Sequence, residues 1–389
     1  MKFAAPLLVL LLTACARAQV TSFYQTPVVA GAPPGTLIAV EPYSPSLPGA
    51  AAYRVLYNST DIAGATIPVS GVVYIPLAPP PQIGRNIVAW AHPTSGVSQA
   101  CAPSLDDGGL GASNVTQSIP GLAAFIADGD IVAATDYPGL GAPGIHPYLI
   151  GDGEGRSIID SVRAARTLPG ADISGNYVVW GHSQGGQAAL FAGQIAKSYA
   201  PELKLVGVAA AAPPTNMNIE LTEAFHNDSG RVLAAYVYTT WAATYHVPLT
   251  SIVYPQAVPA VRRTVAHCIN SIGQAVDALV AASALNPVFR SANPNATPPW
   301  PTLLTENSPG AVAPGAPLLI VQGSADDTVE PHFTRSFAAA VCAKHEVLDY
   351  QEFNTGHLTI AMDASAMAAG WIHDRFAGLQ APDNCKGST

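Results

Sequence analysis

Three residues of this chain have the types and the order that nucleophilic catalysis requires. Ser183 stands at the centre of Gly181-His182-Ser183-Gln184-Gly185, a G-x-S-x-G pentapeptide. Asp326 follows the strand-like segment 317–322, and His357 lies in Asn354-Thr355-Gly356-His357-Leu358. A serine hydroxyl is a poor nucleophile until a base takes its proton, and that base needs an acid to orient it. The order serine, acid, histidine is the one used when the serine sits on an elbow between a strand and a helix. The chemistry open to such a set is acyl transfer through a covalent acyl-enzyme.

The elements around these residues must be able to position them. Residues 177–180 are all apolar and read as a short buried strand. Residues 187–199 read as a helix, with Leu190, Phe191 and Ile195 at helical spacing. A strand that turns directly into a helix crowds its apex, and Gly181 and Gly185 stand where a side chain would clash. Ser183 is then held at a helix N-terminus, where backbone N–H groups and the helix dipole favour developing negative charge.

The acid is predicted at the carboxyl end of a core strand. Residues 323–329, Gly-Ser-Ala-Asp-Asp-Thr-Val, place Asp326 just beyond the turn, with Asp327 as its rival. Among the ten histidines, His357 alone has both the required order and a loop after a strand. His345 precedes its strand, His373 lies inside the last helix, and His182 and His92 read as packing residues. An oxyanion hole needs two N–H donors. One is expected from the backbone of Gln184. The second is expected from the loop 91–96 after the strand 86–90, where Thr94 or Ser95 can add a hydroxyl.

Strand and helix patterns alternate along the chain, which predicts an α/β fold with a mostly parallel sheet and flanking helices. Strands are expected at 72–75, 86–90, 131–134, 177–180, 205–210, 317–322 and 347–353, the first two adjacent. Helices are expected near 121–127, 157–166, 187–199 and 360–376. The rhythm breaks at Pro213-Pro214 and resumes after Pro309. Residues 215–309 are therefore predicted to be a helical cap inserted between core segments 19–214 and 310–389, since structureless loops of that length are rare. Within it, 232–261 carries no Asp, Glu, Lys or Arg, yet Pro248, Pro255 and Pro259 break it too often for a membrane span.

Composition narrows the classes further. The 389 residues are 49% hydrophobic and 11% charged, with a net charge of -9 and no basic run, so no nucleic-acid partner is expected. Lys2 followed by the apolar stretch 3–12 reads as an export signal ending at residue 18, before Gln19. Leu12-Thr13-Ala14-Cys15 also fits a lipobox, which would instead anchor the chain through a lipid on Cys15. Either way Cys101, Cys268, Cys342 and Cys385 remain, an even number in an exported chain, which suggests two disulfides. Spacing leaves all three pairings open. No pair has zinc-ligand spacing, and no metal or cofactor is expected.

Several further blocks are more specific than the pentapeptide: Cys101-Ala102-Pro103-Ser104, Asp136-Tyr137-Pro138-Gly139-Leu140-Gly141, His146-Pro147-Tyr148, Glu154-Gly155-Arg156-Ser157, and Ser198-Tyr199-Ala200-Pro201-Glu202-Leu203. In these the chain resembles the secretory lipases of the lipase A type, over nearly its whole mature length. The resemblance implies an α/β-hydrolase fold and the triad Ser183, Asp326, His357. It places a side-chain oxyanion donor near Ser95 or Thr94, where that type can carry an acidic residue. It also implies the pairs Cys101–Cys268 and Cys342–Cys385. Members of that type can extend past the last cysteine into a flap, whereas this sequence ends four residues after Cys385. Interfacial activation and a long-chain preference are accordingly not carried over.

The expected activity is hydrolysis of apolar carboxylic esters, including acylglycerols, by a secreted serine ester hydrolase that acts as a monomer. The aromatic, nearly uncharged cap around Tyr236 to Tyr245 would face the substrate and can meet a lipid interface. Acyl transfer to an alcohol or peptide hydrolysis on the same fold are the alternative activities. A non-catalytic binding protein would not need all three triad members.

Overall fold

The computed structural model describes residues 20–44, 47–105, 118–224, 228–285, 289–290 and 293–387. The export segment and Cys15 lie outside the described residues. One nine-stranded sheet runs through the molecule in the order β1-β2-β3-β5-β4-β6-β7-β8-β9. Its strands are β1 (Leu37–Pro42), β2 (Ala50–Thr60), β3 (Thr66–Pro76), β4 (Arg85–Ala91), β5 (Ile131–Thr135), β6 (Ile173–His182), β7 (Lys204–Ala211), β8 (Leu318–Gly323) and β9 (Leu348–Phe353). Pairings from β5 through β4, β6, β7 and β8 to β9 are parallel, and those among β1, β2, β3 and β5 are antiparallel. The sheet is thus mostly parallel.

Two features differ from the sequence-based expectation. β1 and β2 carry no helix between them and escape a strand–helix rhythm. β2 and β3 instead form a long hairpin closed by a side chain: Asp61 Oδ1 accepts the backbone N–H groups of Ala63 and Ala65 at 2.9 and 2.8 Å, and Gly64 takes φ 86°. The expected strands 72–75 and 86–90 fall in β3 and β4 but are not neighbours. β5 lies between them, pairing Val132 with Tyr74 on one side and with Val88 on the other. A parallel strand needs a crossover, here through α1 (Leu122–Ala127), and that crossover carries β5 back beside β3. The next connection, through α2 (Gly151–Ala165), places β6 on the opposite side of β4. The strand order therefore reverses around β4, and ligands bind outside the carboxyl ends of strands at such a point.

Both faces of the central strands are buried, which explains their uninterrupted apolar sequences. Ile87, Ala89, Tyr177 and Val179 face one core with α2 and α3 (Gln184–Tyr199). Val88, Trp90, Val178 and Trp180 face the other, with α1 and residues of the C-terminal helices. Between β7 and β8 come α4 (Met217–Glu223), α5 (Asp228–Thr244), α6 (Val258–Val265), α7 (Ile272–Ala282) and α8 (Trp300–Glu306). They have a core of their own, built on Tyr236, Tyr238, Trp241 and Trp300, which also takes in Tyr148, Leu149 and Ile150. No helix among the described residues is long and apolar enough to cross a membrane.

After β8 come α9 (Pro331–Ala343), then β9, α10 (Ile360–Asp363) and α11 (Ser365–Phe376). The expected helix 360–376 thus comes in two pieces. Disulfides join Cys101 to Cys268 and Cys342 to Cys385, the pairing implied by the resemblance. The first ties the loop after β4 to the inserted helices, and an Ile269 N–H to Ser95 C=O bond of 2.8 Å runs beside it.

Candidate active site

Register brings the functional loops together. Across the parallel strands Ala91 pairs with Gly181, His182 with Ala211, Ala211 with Val321, and Gly323 with Phe353. The segments that follow β4, β6, β8 and β9 therefore leave the sheet at one edge. Ser183 stands between β6 and α3 with φ 55° and ψ -120°, a strained position for a residue with a side chain. Its N–H is tied to the Ala211 carbonyl at 2.8 Å. A Cβ on Gly181 would lie 2.1 Å from the Gly185 carbonyl oxygen, and one on Gly185 would lie 2.0 Å from that of Ala91. Both obstacles are backbone, so the elbow can close only with glycine at these positions.

The structure brings Ser183, His357 and Asp326 into one hydrogen-bonded chain. Asp326 Oδ2 accepts from His357 Nδ1 at 2.8 Å, and His357 Nε2 faces Ser183 Oγ at 2.8 Å. A carboxylate can only accept, so Nδ1 carries the proton and Nε2 presents its lone pair to the serine hydroxyl. Asp326 is buried and held on every side. Its Oδ1 accepts the backbone N–H groups of Thr328 and Val329 at 2.9 Å each, and its Oδ2 also accepts from Gln322 Nε2 at 3.0 Å. Burial pushes its pKa up, but the His357 hydrogen bond and charge and the two backbone donors outweigh it, leaving Asp326 below the usual carboxylate range. Asp327 is exposed, and its hydrogen bond is a 3.5 Å contact with the Thr328 hydroxyl.

The other histidines that the sequence brings forward lie outside this hydrogen-bonded chain. His182 is buried against the His357 ring and donates from Nε2 to the His357 carbonyl at 2.9 Å. Burial, with the adjacent His357, pushes its pKa down to about 3, so it is neutral at ordinary pH. His92 sits between the Pro93 and Asp136 carbonyls and packs on Tyr137. His345 follows α9, and His373 on α11 is exposed beside Asp128.

The oxyanion candidates divide. Gln184 is the first residue of α3, so its main-chain N–H has no acceptor within the helix. Thr94 is half-buried, with its hydroxyl 2.8 Å from that of Tyr148. Ser95 Oγ is sealed from solvent and has no hydrogen-bond partner among the described residues. A sealed hydroxyl cannot meet a substrate oxygen in this conformation.

Sequence reasoning gave no role to three residues packed against this corner. Tyr148 holds Thr94 while Trp241 Nε1 donates to the Tyr148 carbonyl at 2.7 Å. His146 and Glu154 contact the side chain of Gln184. Their blocks stood out in the sequence, but only the fold shows what they touch. From the inserted helices, Glu220 feels the Asp326 charge: burial first, then Glu223 and Asp326, push it up to about 7 against the N–H groups of Asn216 and Thr215.

A nine-stranded, mostly parallel sheet with a serine–histidine–aspartate chain at its carboxyl edge defines an α/β-hydrolase. Comparison with known proteins identifies the branch. The sequence profile of the secretory lipases matches residues 112–384. Lipase A of Arthroderma benhamiae is 25% identical over 359 residues, covering 87% of this chain and 74% of its own. A Mycobacterium tuberculosis protein described as a "probable inactive lipase" is 23% identical, with coverage of 86% and 75%. In fold, the chain is similar to Candida antarctica lipase A, with a TM-score of 0.76 at 20% identity, covering 95% of this chain and 88% of that one. The chain belongs to the secretory lipase family and is a carboxylic ester hydrolase.

Proposed function

We propose that the chain hydrolyses apolar carboxylic esters, acylglycerols among them, through an acyl-enzyme on Ser183. The single observation that carries this reading is the unbroken chain from Asp326 to His357 to Ser183, at 2.8 Å in both links. Ser183 Oγ attacks the ester carbonyl as its proton passes to His357 Nε2, and Asp326 stabilises the imidazolium. The oxyanion is received by the Gln184 N–H and by a hydroxyl of the loop after β4, Thr94 in preference to Ser95. When the tetrahedral intermediate collapses, the ester C–O bond breaks and the alcohol leaves with the proton from His357. A water molecule then attacks the acyl-enzyme by the same route and releases the acid. No step calls for a metal or cofactor.

Residues 215–309 serve in this reading as a cap over a core formed by 19–214 and 310–389. The lack of charge through 232–261 favours apolar acyl groups and contact with a lipid interface, whereas Tyr236, Tyr238 and Trp241, expected to face the substrate, are buried in the cap's own core. The chain acts as a monomer, exported by residues 1–18; lipid attachment at Cys15 is the other outcome that intact mass of the mature protein distinguishes.

The test is a nitrophenyl ester series from short to long acyl chains, with emulsified triglyceride, on the wild type and Ser183→Ala. The variant should lose activity on every substrate. Undiminished turnover by Ser183→Ala would overturn the assignment, and a preference for short soluble esters would make the enzyme an esterase rather than a lipase.

A further inference from the structure

We propose that Glu154 is a positioning residue whose buried carboxyl holds the side chain of Gln184, and through it the main-chain N–H aimed at the oxyanion. The inference rests on the reading of Gln184 given under the proposed function, and adds to it a residue outside the triad.

Glu154 lies in the first turn of α2 and is fully buried. One of its oxygens, Oε1, accepts from Gln184 Nε2 at 2.6 Å and from the backbone N–H of Leu149 at 3.0 Å. Leu149 is itself in the left-handed region, at φ 55°. A single carboxyl oxygen thus joins the first residue of the elbow helix to a strained turn of the neighbouring segment. Among the described residues the one basic side chain paired with it is His146 at 3.8 Å, and that ring is neutral. Burial and the neighbouring His92 push its pKa down to about 3, and its Nδ1–H donates to the Pro138 carbonyl at 3.0 Å. The His146 Nε2 lone pair must therefore accept, and it meets Gln184 Nε2 at 3.0 Å. Both neighbours of the Gln184 amide nitrogen are acceptors, so the orientation of this amide is fixed by chemistry.

A carboxyl buried without a cation is costly, and an apolar side chain would fill the same space without that cost. Burial pushes its pKa well above the usual carboxylate range. What it contributes is two directed hydrogen bonds, one to the first side chain of α3, a residue from the nucleophile, and one to the turn before α2. Gln184 is in turn the residue whose backbone would meet the oxyanion. A side chain anchored at two acceptors leaves its own main chain little freedom to rotate, which is the preorganisation that oxyanion stabilisation depends on.

The experiment compares Glu154→Leu, Glu154→Gln, Gln184→Met and the Glu154→Leu/Gln184→Met double variant in the full chain, with Ser183→Ala as control. Glu154→Leu should lower kcat on a nitrophenyl ester by about 10- to 100-fold with KM within about twofold, the range for loss of a supporting residue behind a catalytic group. Phosphonylation of Ser183 by a nitrophenyl phosphonate should slow by the same factor. Glu154→Gln, which keeps an oxygen acceptor, should stay within about threefold of wild type. Gln184→Met cuts the same contact from its other end, so it should match Glu154→Leu, and the double variant should lose no more than either single one. A folded Glu154→Leu with wild-type kcat, or additive losses in the double variant, would overturn the inference. If Glu154→Leu does not fold, Gln184→Met with wild-type kcat overturns it equally. Activity remaining in Ser183→Ala would instead remove the underlying reading.

Discussion

Asp326→Asn tests the triad with the smallest chemical change available. The outcome can be worked out from the hydrogen bonds around the carboxylate. Oδ1 faces two backbone donors, the N–H groups of Thr328 and Val329, while Oδ2 faces His357 Nδ1 and Gln322 Nε2. An asparagine must put its NH2 group on one side or the other. Placed toward Thr328 and Val329, it opposes two donors that cannot change. Placed toward His357, it opposes the Gln322 amide, which is pinned because its nitrogen also donates to the Val329 carbonyl at 3.0 Å. The imidazole, however, can relieve its own conflict by moving its proton to Nε2. The second arrangement leaves one buried donor clash instead of two, a preference of about 1–3 kcal/mol.

In that tautomer Nε2–H points at Ser183 and cannot take its proton. The expected result is a loss of about 10⁴-fold in kcat, equivalent to about 5 kcal/mol of transition-state stabilisation. KM should change little, because no substrate contact is altered. The assay is steady-state hydrolysis of a short nitrophenyl ester, with the urea midpoint as a check on folding. A folded variant that keeps more than a tenth of wild-type kcat would refute the tautomer argument. The same substitution at Asp327, exposed and bound to nothing essential, should leave kcat unchanged.

Two further outcomes concern stability. Removing the Cys101–Cys268 disulfide, which spans 167 residues, should cost about 5 kcal/mol on chain entropy, against about 4 kcal/mol for Cys342–Cys385, which spans 43. Urea unfolding of the paired Cys→Ser variants reads the difference, and a larger loss from the shorter loop would contradict that account. His182, pushed down to about 3 in the folded chain, takes up a proton near pH 6.5 once unfolded. More protons are then bound by the unfolded state between these values, so this residue's contribution to stability falls as pH drops from about 6.5 toward 3, by up to about 1.4 kcal/mol per pH unit. The urea midpoint of His182→Asn should accordingly depend less steeply on pH across that window than that of the wild type, and an identical slope would contradict the assignment.

Local patterns carry far in this chain because they encode short-range geometry. Two glycines flanking Ser183, an apolar strand before them and a helix after them fix the elbow, since backbone atoms 2.0 and 2.1 Å from a hypothetical Cβ allow no other residue there. The apolar runs that became β4, β5, β6, β7 and β8 are equally plain, because strands buried on both faces are continuously hydrophobic. The hairpin of β1, β2 and β3 was harder to see. Half-buried antiparallel strands such as β1 mix polar and apolar residues, and the Asp61 turn that closes β2 onto β3 carries no strand signal of its own.

What sequence alone determined is therefore the set of reactive types, Ser183, Asp326 and His357, and their order along strands that end in loops. What only tertiary structure decided is which groups meet. Neighbouring Asp326 and Asp327 are equal as chemistry; one turns inward under four hydrogen-bond donors and the other outward into solvent. Thr94 and Ser95 are both hydroxyls, yet one pairs with Tyr148 and the other is sealed. The position of β5 beside β4, and the burial of Glu154 under Gln184, follow from how the crossovers pack the sheet. Such contacts join residues far apart in sequence, and local propensity holds no information about them.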